Sequence, residues 1–253
     1  MNSMSTPFSD IYINKENMTI SYRSKDMVYE ELFKDGALIS GGWNASGYPL
    51  DVLTNCPSKI DTGRYAEPFV FNLEVDGCRV DYDLQLLDIA VTEDEVGKLC
   101  IITLKSNIKP VEIKVCTQLD GTQMMSRHLV IKNLSDKALS ISKLSLISGA
   151  MEDMDTDHIF GADDINKYYS TGYFDDDSWG REGQLRFRDL HPDTTSIDGR
   201  FSRDRFRHPL LFIRNNLLGH MWFCQLGYSG GYRFNVDYYA MPFKDETQLS
   251  FSA

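Results

Sequence analysis

The sequence predicts an all-β fold, a large antiparallel two-layer β-sandwich with few or no helices, and three observations carry that prediction. Apolar residues recur with period two over long stretches, turn dipeptides separate those stretches at short intervals, and no amphipathic helical pattern lasts beyond a turn or two. No longer internal repeat recurs, which removes propellers and solenoids.

Phe69, Phe71, Leu73 and Val75 alternate with polar or smaller neighbours, and Asp76-Gly77 supplies a two-residue turn that matches strand twist, so a hairpin into Cys78 to Leu84 is expected. Val111, Ile113, Val115, Thr117 and Leu119 alternate against Glu112, Lys114, Cys116 and Gln118. Asp120-Gly121 then predicts a second hairpin of the same kind, with Met125 to Lys132 as partner strand. Between Ala138 and Ile147 the apolar set runs Leu139, Ile141, then Leu144 and Leu146, a one-residue change of phase that a β-bulge absorbs. Later strands are expected over Leu210 to Arg214, Leu217 to Tyr228, Tyr232 to Tyr239 and Thr247 to Phe251, punctuated by Asn215-Asn216, Gly230-Gly231 and Pro242. Met151 to Gln184 is rich in aspartate and irregular, and reads as a long surface connection. It divides two sheet-rich halves without marking a boundary, so residues 1–253 are expected to form a single sandwich domain.

Composition narrows the function classes. The chain has 253 residues, 26 basic against 37 acidic side chains and a formal net charge of −11. Such a surface repels phosphate backbones and anionic lipid, so no nucleic acid and no membrane partner is expected; neutral ligands such as sugars remain open. The 5 cysteines form no CxxC pair and have no nearby histidine, and read as buried thiols. Met1 to Met18 lacks the features of a secretory signal and no apolar run is long enough to span a bilayer, which points to a cytoplasmic setting. The triplets beginning at Asn17, Asn44 and Asn133 therefore carry no glycosylation argument.

No chemistry-bearing constellation survives inspection. Asp153, Asp155, Asp157 and Asp164 imitate a calcium loop, but His158 stands where glycine is needed and the last ligand is too short. No metal is expected. Asp175-Asp176-Asp177 are adjacent on one loop, whereas glycoside hydrolysis needs carboxyl groups facing one another across the scissile bond. Arg200 to Pro209 concentrates positive charge, and as a strand would align Arg203, Arg205 and Arg207; an anionic-ligand site and an internal ion-pair network are both open, the latter preferred. His128, His158, His191, His208 and His220 form no ligand pair or triad, and Gly227 to Gly231 leads into a strand and is a turn. No catalytic residue and no cofactor are assigned.

The order and spacing of several segments resemble the N-terminal domain of the glycoside hydrolase family 36 α-galactosidases. Gly219-His220-Met221-Trp222-Phe223-Cys224-Gln225-Leu226-Gly227-Tyr228-Ser229-Gly230 is similar to that family's strand ending in Tyr-Ser-Gly. Ser178-Trp179-Gly180-Arg181-Glu182 is similar to its Trp-x-Arg-Glu segment, Ser196 to Arg200 to its Ser-x-x-Gly element, and His208-Pro209-Leu210 to its Asn-Pro-Phe. Leu38 to Trp43 resembles its early Tyr-Trp-Gly strand end, and Thr62 to Pro68 its Gly-Asp-Phe-Arg-x-Pro loop.

The resemblance implies a supersandwich of the galactose mutarotase-like type that precedes a (β/α)₈ barrel and helps assemble a homo-oligomer. The family's two catalytic aspartates belong to that barrel, which needs ~250 residues by itself. The chain is thus expected to be the sandwich without the barrel, stopping about where the last sandwich strands would be added. It would border a pocket that cleaves terminal α-galactosyl residues of melibiose- or raffinose-type sugars, and be inactive alone. Trp43, Arg64 and Tyr65 are the substrate-binding candidates so implied, with core or interface packing as the other reading of Trp43 and Tyr65. Two rival functions are a stand-alone carbohydrate-binding module that exposes Trp43, Tyr65 or Trp179, and a ligand-free oligomerisation module.

Overall fold

A computed structural model describes residues 9–44, 68–155, 165–175, 180, 182–200, 207–228, 230–241 and 246–253. Among the described residues the chain is all-β, with five antiparallel sheets and one short 3₁₀ turn at Ile165–Lys167. It divides into two compact units, Met1–Glu152 and Asp153–Ala253.

The first unit opens with a meander of β1 (Ser9–Asn14), β2 (Thr19–Ser24), β3 (Met27–Lys34) and β4 (Ala37–Asn44), paired in that order. Asp35-Gly36 closes β3 onto β4 with both residues at positive φ, 50° and 76°. That backbone geometry follows the right-handed twist of the flanking strands. Between β3 and β4 the register jumps, Glu30 facing Gly42 and Glu31 facing Ser40, which leaves Gly41 as the extra residue of a β-bulge.

A small sheet follows, of β5 (Asn72–Val75), β6 (Cys78–Arg79) and β11 (Ile141–Ser145), in the order β11-β5-β6. Asp76-Gly77 makes the expected turn, with φ of 50° and 73°, but β6 is only two residues long, shorter than the hairpin arm the sequence predicts. The phase change in β11 is a register shift between Ile141 and Lys143, as its apolar pattern implies. The other large sheet has the order β10-β9-β8-β7, from β7 (Leu84–Glu93), β8 (Lys98–Ser106), β9 (Val111–Leu119) and β10 (Met125–Asn133). β9 and β10 pair from Leu119↔Met125 to Val111↔Asn133, so the connection at Asp120-Gly121 runs on to Met124 and is longer than a two-residue turn. Thr122 N–H donates to Asp120 Oδ1 at 2.8 Å and holds that longer loop.

The inner faces of these two sheets share one core. Ile20, Tyr22, Tyr29 and Leu38 from the meander pack with Cys100, Ile102, Leu104, Ile113 and Val115. Each such side chain contributes ~1.5–3 kcal/mol through burial, the main force holding the layers together. β12 (Ser148–Asp155) follows, its first residues tied to the first unit through Ser148 N–H to Val70 O at 2.8 Å.

The second unit holds β13 (Tyr169–Phe174), β14 (Leu185–Asp189), β15 (Asp193–Gly199), β16 (Leu210–Asn215), β17 (Met221–Gln225), β18 (Tyr232–Met241) and β19 (Glu246–Ser252). They form two sheets, β12-β19-β18-β15 and β14-β13-β16-β17. Tyr169 from one meets Tyr238 from the other edge-to-face at 5.1 Å, amid buried Ile197, Leu211, Ile213, Phe234, Val236, Leu249 and Phe251. Two sequence expectations need correction. Tyr169–Phe174 lies inside the stretch read as a surface connection yet is an inner strand with Tyr169 fully buried. The strand expected over Leu217 to Tyr228 shrinks to Met221–Gln225, because Asn215 Oδ1 accepts the N–H groups of both Leu217 and Leu218, at 2.9 Å each, and turns the chain there.

Candidate functional site

Side chains with site-like chemistry converge at one place among the described residues, inside the first unit. On the inner face of the meander, Glu31 of β3 stands opposite Ile20 of β2 and Ser40 of β4. Tyr22 and Tyr29 lie on the same face, opposite one another. Arg127 comes from β10, where it shares parity with Met125, Leu129 and Ile131 and so points to the core.

Every polar atom of this group finds a partner. Arg127 Nη2 meets Glu31 Oε2 at 2.9 Å, with side chains only 3% and 0% exposed. Tyr29 OH donates to the same oxygen at 3.2 Å, and Tyr22 OH donates to Oε1. Arg127 Nε donates to Thr117 Oγ1 at 2.9 Å, Nη1 donates to Tyr29 OH at 3.4 Å, and the guanidinium carbon lies 5.2 Å from the Tyr29 ring centroid. Burial drives the Tyr22 and Tyr29 hydroxyls far above their ordinary pKa, and the Glu31 carboxylate adds to it. Burial is the largest single influence on Arg127 and opposes its charge, but Glu31, Tyr29 and Tyr22 together outweigh it and the guanidinium stays protonated. Cys100, close by, is pushed up by burial to about 12.

A carboxylate with both oxygens engaged and no solvent access cannot take a proton from substrate or attack one. The chemistry available here is mechanical: an ion pair that fixes one layer of the sandwich against the other. The other buried carboxyls are engaged as well. Glu30, on the opposite face of β3, accepts from Ser21 Oγ at 2.8 Å, and Asp81 takes both Nε and Nη2 of Arg79 at 3.1 and 2.9 Å. Asp237 accepts from Thr194 Oγ1 at 2.6 Å, and burial raises its pKa. Among the described residues no group of three or more His, Cys, Asp or Glu side chains is placed to hold a metal ion, and no helix is long and apolar enough to cross a membrane.

Of the substrate-binding candidates, Trp43 stands on β4 directly across from Tyr29, the ring centroids 4.6 Å apart and tilted by 48°. It is half-buried and packs against the core of the first unit. Arg64 and Tyr65 lie outside the described residues, as do Trp179, Asp157, Asp164 and the segment Phe201 to Phe206, which includes Arg203 and Arg205. Asp153 and Asp155 fall on β12. At the flanks of the basic segment, Arg207 Nη1 donates to the Asp198 backbone carbonyl at 2.6 Å, and the Asp198 carboxylate pairs at 2.5 Å with Arg233, which lies outside that segment. The Glu31–Arg127 centre is absent from the sequence reading. Its signal is Arg127 occupying an apolar-parity position in the strand after Asp120-Gly121.

No protein-family model matches this sequence, and no curated protein sequence does either. Solved structures do match. The galactosidase domain of the α-galactosidase–sucrose kinase AgaSK superposes with a TM-score of 0.66 at 14% identity, over 96% of this chain and 38% of that one. The GH36 α-galactosidase AgaB from Geobacillus stearothermophilus matches with a TM-score of 0.65 at 13% identity, over 96% of this chain and 37% of its own. The α-galactosidase from Lactobacillus brevis gives 0.66 at 14%, over 95% and 37%. The chain thus spans well under half the length of the structures it resembles, and at such identity the likeness is one of backbone architecture. The chain has the fold of a little over one third of a GH36 α-galactosidase.

Proposed function

We propose that this chain is the β-sandwich part of an α-galactosidase of the GH36 kind. In this reading it borders a catalytic portion that releases terminal α-galactosyl residues, contributes to homo-oligomer assembly in the cytoplasm, and performs no hydrolysis by itself. The observation that carries the reading is the match of 96% of the chain to 38% of a galactosidase domain, along a succession of strands. The use of the buried carboxyls supports it: Glu31, Asp81 and Asp237 are each committed to an internal partner, and Glu30 and Glu31 point to opposite faces of one strand. Retaining hydrolysis needs two carboxyl groups about 5–5.5 Å apart across a substrate. Incubating the purified chain with a nitrophenyl α-galactoside tests the proposal. No release above background is expected, and turnover at ordinary enzyme rates of ~1 s⁻¹ or more would overturn it.

A further inference from the structure

Glu31, Tyr22 and Tyr29 are fully buried, so a reaction at that centre has to be started by something other than a bound substrate. An electron can cross packed aromatic rings where a molecule cannot. The first unit holds such rings in one cross-strand row, Tyr22 of β2 opposite Tyr29 of β3 and Tyr29 opposite Trp43 of β4. Trp43 is half-buried and forms the surface end of the row. Its ring centroid lies 4.6 Å from that of Tyr29, which stacks on Tyr22 at 5.7 Å with the planes 23° apart. Three oxidisable side chains therefore run without a break from the edge of the unit to its core.

The chemistry at the inner end sets this row apart from ordinary aromatic packing. A phenol that loses an electron becomes a strong acid and sheds its proton, and an apolar core offers nothing to receive it. Here Tyr22 OH already donates to Glu31 Oε1, while Arg127 and Tyr29 both go to Oε2. The proton of Tyr22 thus has a carboxylate base at the far end of a hydrogen bond that is in place before any oxidation. Tyr29 is the poorer resting place for an electron vacancy. The Arg127 guanidinium lies 5.2 Å from its ring centroid and donates to its hydroxyl at 3.4 Å, and a cation at that range opposes the withdrawal of an electron. The vacancy passes through Tyr29 and settles on Tyr22.

We infer that Trp43, Tyr29 and Tyr22 form a path for single electrons, by which an oxygen-centred radical or another one-electron oxidant at the surface converts Tyr22 into a neutral tyrosyl radical, with Glu31 as proton acceptor. The oxidant gains one electron from Trp43, Trp43 regains one from Tyr29, and Tyr29 regains one from Tyr22. The Tyr22 O–H bond breaks and an O–H bond forms at Glu31 Oε1. Arg127 then stands beside a neutral acid, and this uncompensated buried charge returns the proton to Tyr22 once an electron comes back. The centre is a reversible store for an oxidising equivalent, and it stands apart from the galactosidase reading.

Flash oxidation of the full chain by a photogenerated ruthenium(III) polypyridyl complex tests it, with Trp179 and Trp222 replaced by Phe and the radicals followed by optical absorption and electron paramagnetic resonance. Exposed tyrosines, among them Tyr12, Tyr82 and Tyr228, are oxidised directly, and their radicals decay fast by coupling with one another. A second, long-lived tyrosyl population is expected to form as the Trp43 radical disappears. Trp43→Phe and Tyr22→Phe should each abolish the long-lived population and leave the fast one. Full exchange into D₂O should slow its formation with the row unsubstituted. Circular dichroism checks folding, and Tyr29→Phe interrupts the row should Tyr22→Phe unfold. Absence of a long-lived population from the unsubstituted row overturns the inference. Its survival in Trp43→Phe overturns the path, and its survival in Tyr22→Phe overturns the resting place. An unchanged rate in D₂O removes Glu31 as the proton acceptor.

Discussion

Arg127→Met tests the account of the first unit most directly. It removes a guanidinium whose side chain is 3% exposed and leaves the Glu31 carboxylate, 0% exposed, with two tyrosine donors and no counter-charge. Breaking a buried pair in this one-sided way costs about 3–5 kcal/mol, since the remaining charge must be dehydrated without compensation. At ~2–4 °C per kcal/mol for a unit of this size, melting falls by roughly 6–20 °C. Trp43, 4.6 Å from Tyr29, reports the transition of this unit by fluorescence once Trp179 and Trp222 are replaced by Phe. Glu31→Gln added to Arg127→Met removes the stranded charge and recovers much of the loss. A cost for Arg127→Met below about 1 kcal/mol, or a double variant no better than the single, would refute the reasoning.

Three further outcomes are expected. Asp237 has its carboxyl pKa raised by burial, so its contribution to stability is greatest below the unfolded pKa of about 3.9 and is lost as pH rises through the folded one; Asp237→Asn should gain stability over wild type between pH 4 and pH 7 in urea titrations. Gly97→Ala places a Cβ 2.0 Å from the Leu119 carbonyl oxygen at a φ of +146°, and should cost about 2 kcal/mol or more, whereas Gly77→Ala, with no atom within 4 Å and a φ of +73°, should cost only about 1 kcal/mol. Native-state labelling with a thiol reagent at pH 8 should modify exposed Cys78 and spare Cys100, whose thiol is pushed up to about 12 and becomes reactive only on unfolding.

The parts of the fold legible in the sequence are those with one wet face. β9 and β10 alternate cleanly because their outer side chains see solvent, and their bounds follow from parity alone. The β11 bulge is legible for the same reason: a shift in apolar phase has to appear as a shift in register. The meander is silent because Met27 to Leu32 is buried at every position, so Tyr29 and Glu31 on one face and Val28 and Glu30 on the other leave no period of two. β7 is silent for the opposite cause, being mostly exposed. β13 is hidden by its acidic surroundings, although Tyr169 and Thr171 are buried. The candidate site divides similarly. Trp43 follows from a motif and lands on a strand against the core, whereas the Glu31–Arg127 centre depends on two strands nearly a hundred residues apart, a pairing that periodicity within either strand cannot supply.

That centre also makes an unusual prediction about its own replacement. Exchanging a buried ion pair for apolar residues is often neutral or stabilising by about 1–4 kcal/mol, because two desolvation penalties vanish together. Here the exchange Glu31→Leu with Arg127→Leu orphans the Tyr22 hydroxyl, which donates to Oε1, and strips Tyr29 of its contacts with both partners. Each buried hydroxyl left without a partner costs about 1–3 kcal/mol, so two of them cancel or reverse the gain. The double leucine variant should therefore be no more stable than wild type, and adding Tyr22→Phe and Tyr29→Phe should raise its stability by about 2 kcal/mol or more. Equilibrium urea unfolding of the three proteins decides the matter. If the double leucine variant alone exceeds wild type, the tyrosine hydroxyls are satisfied elsewhere and the pair is an isolated one. If only the quadruple variant does, the carboxylate is the hub through which four side chains on two facing sheets hold one register.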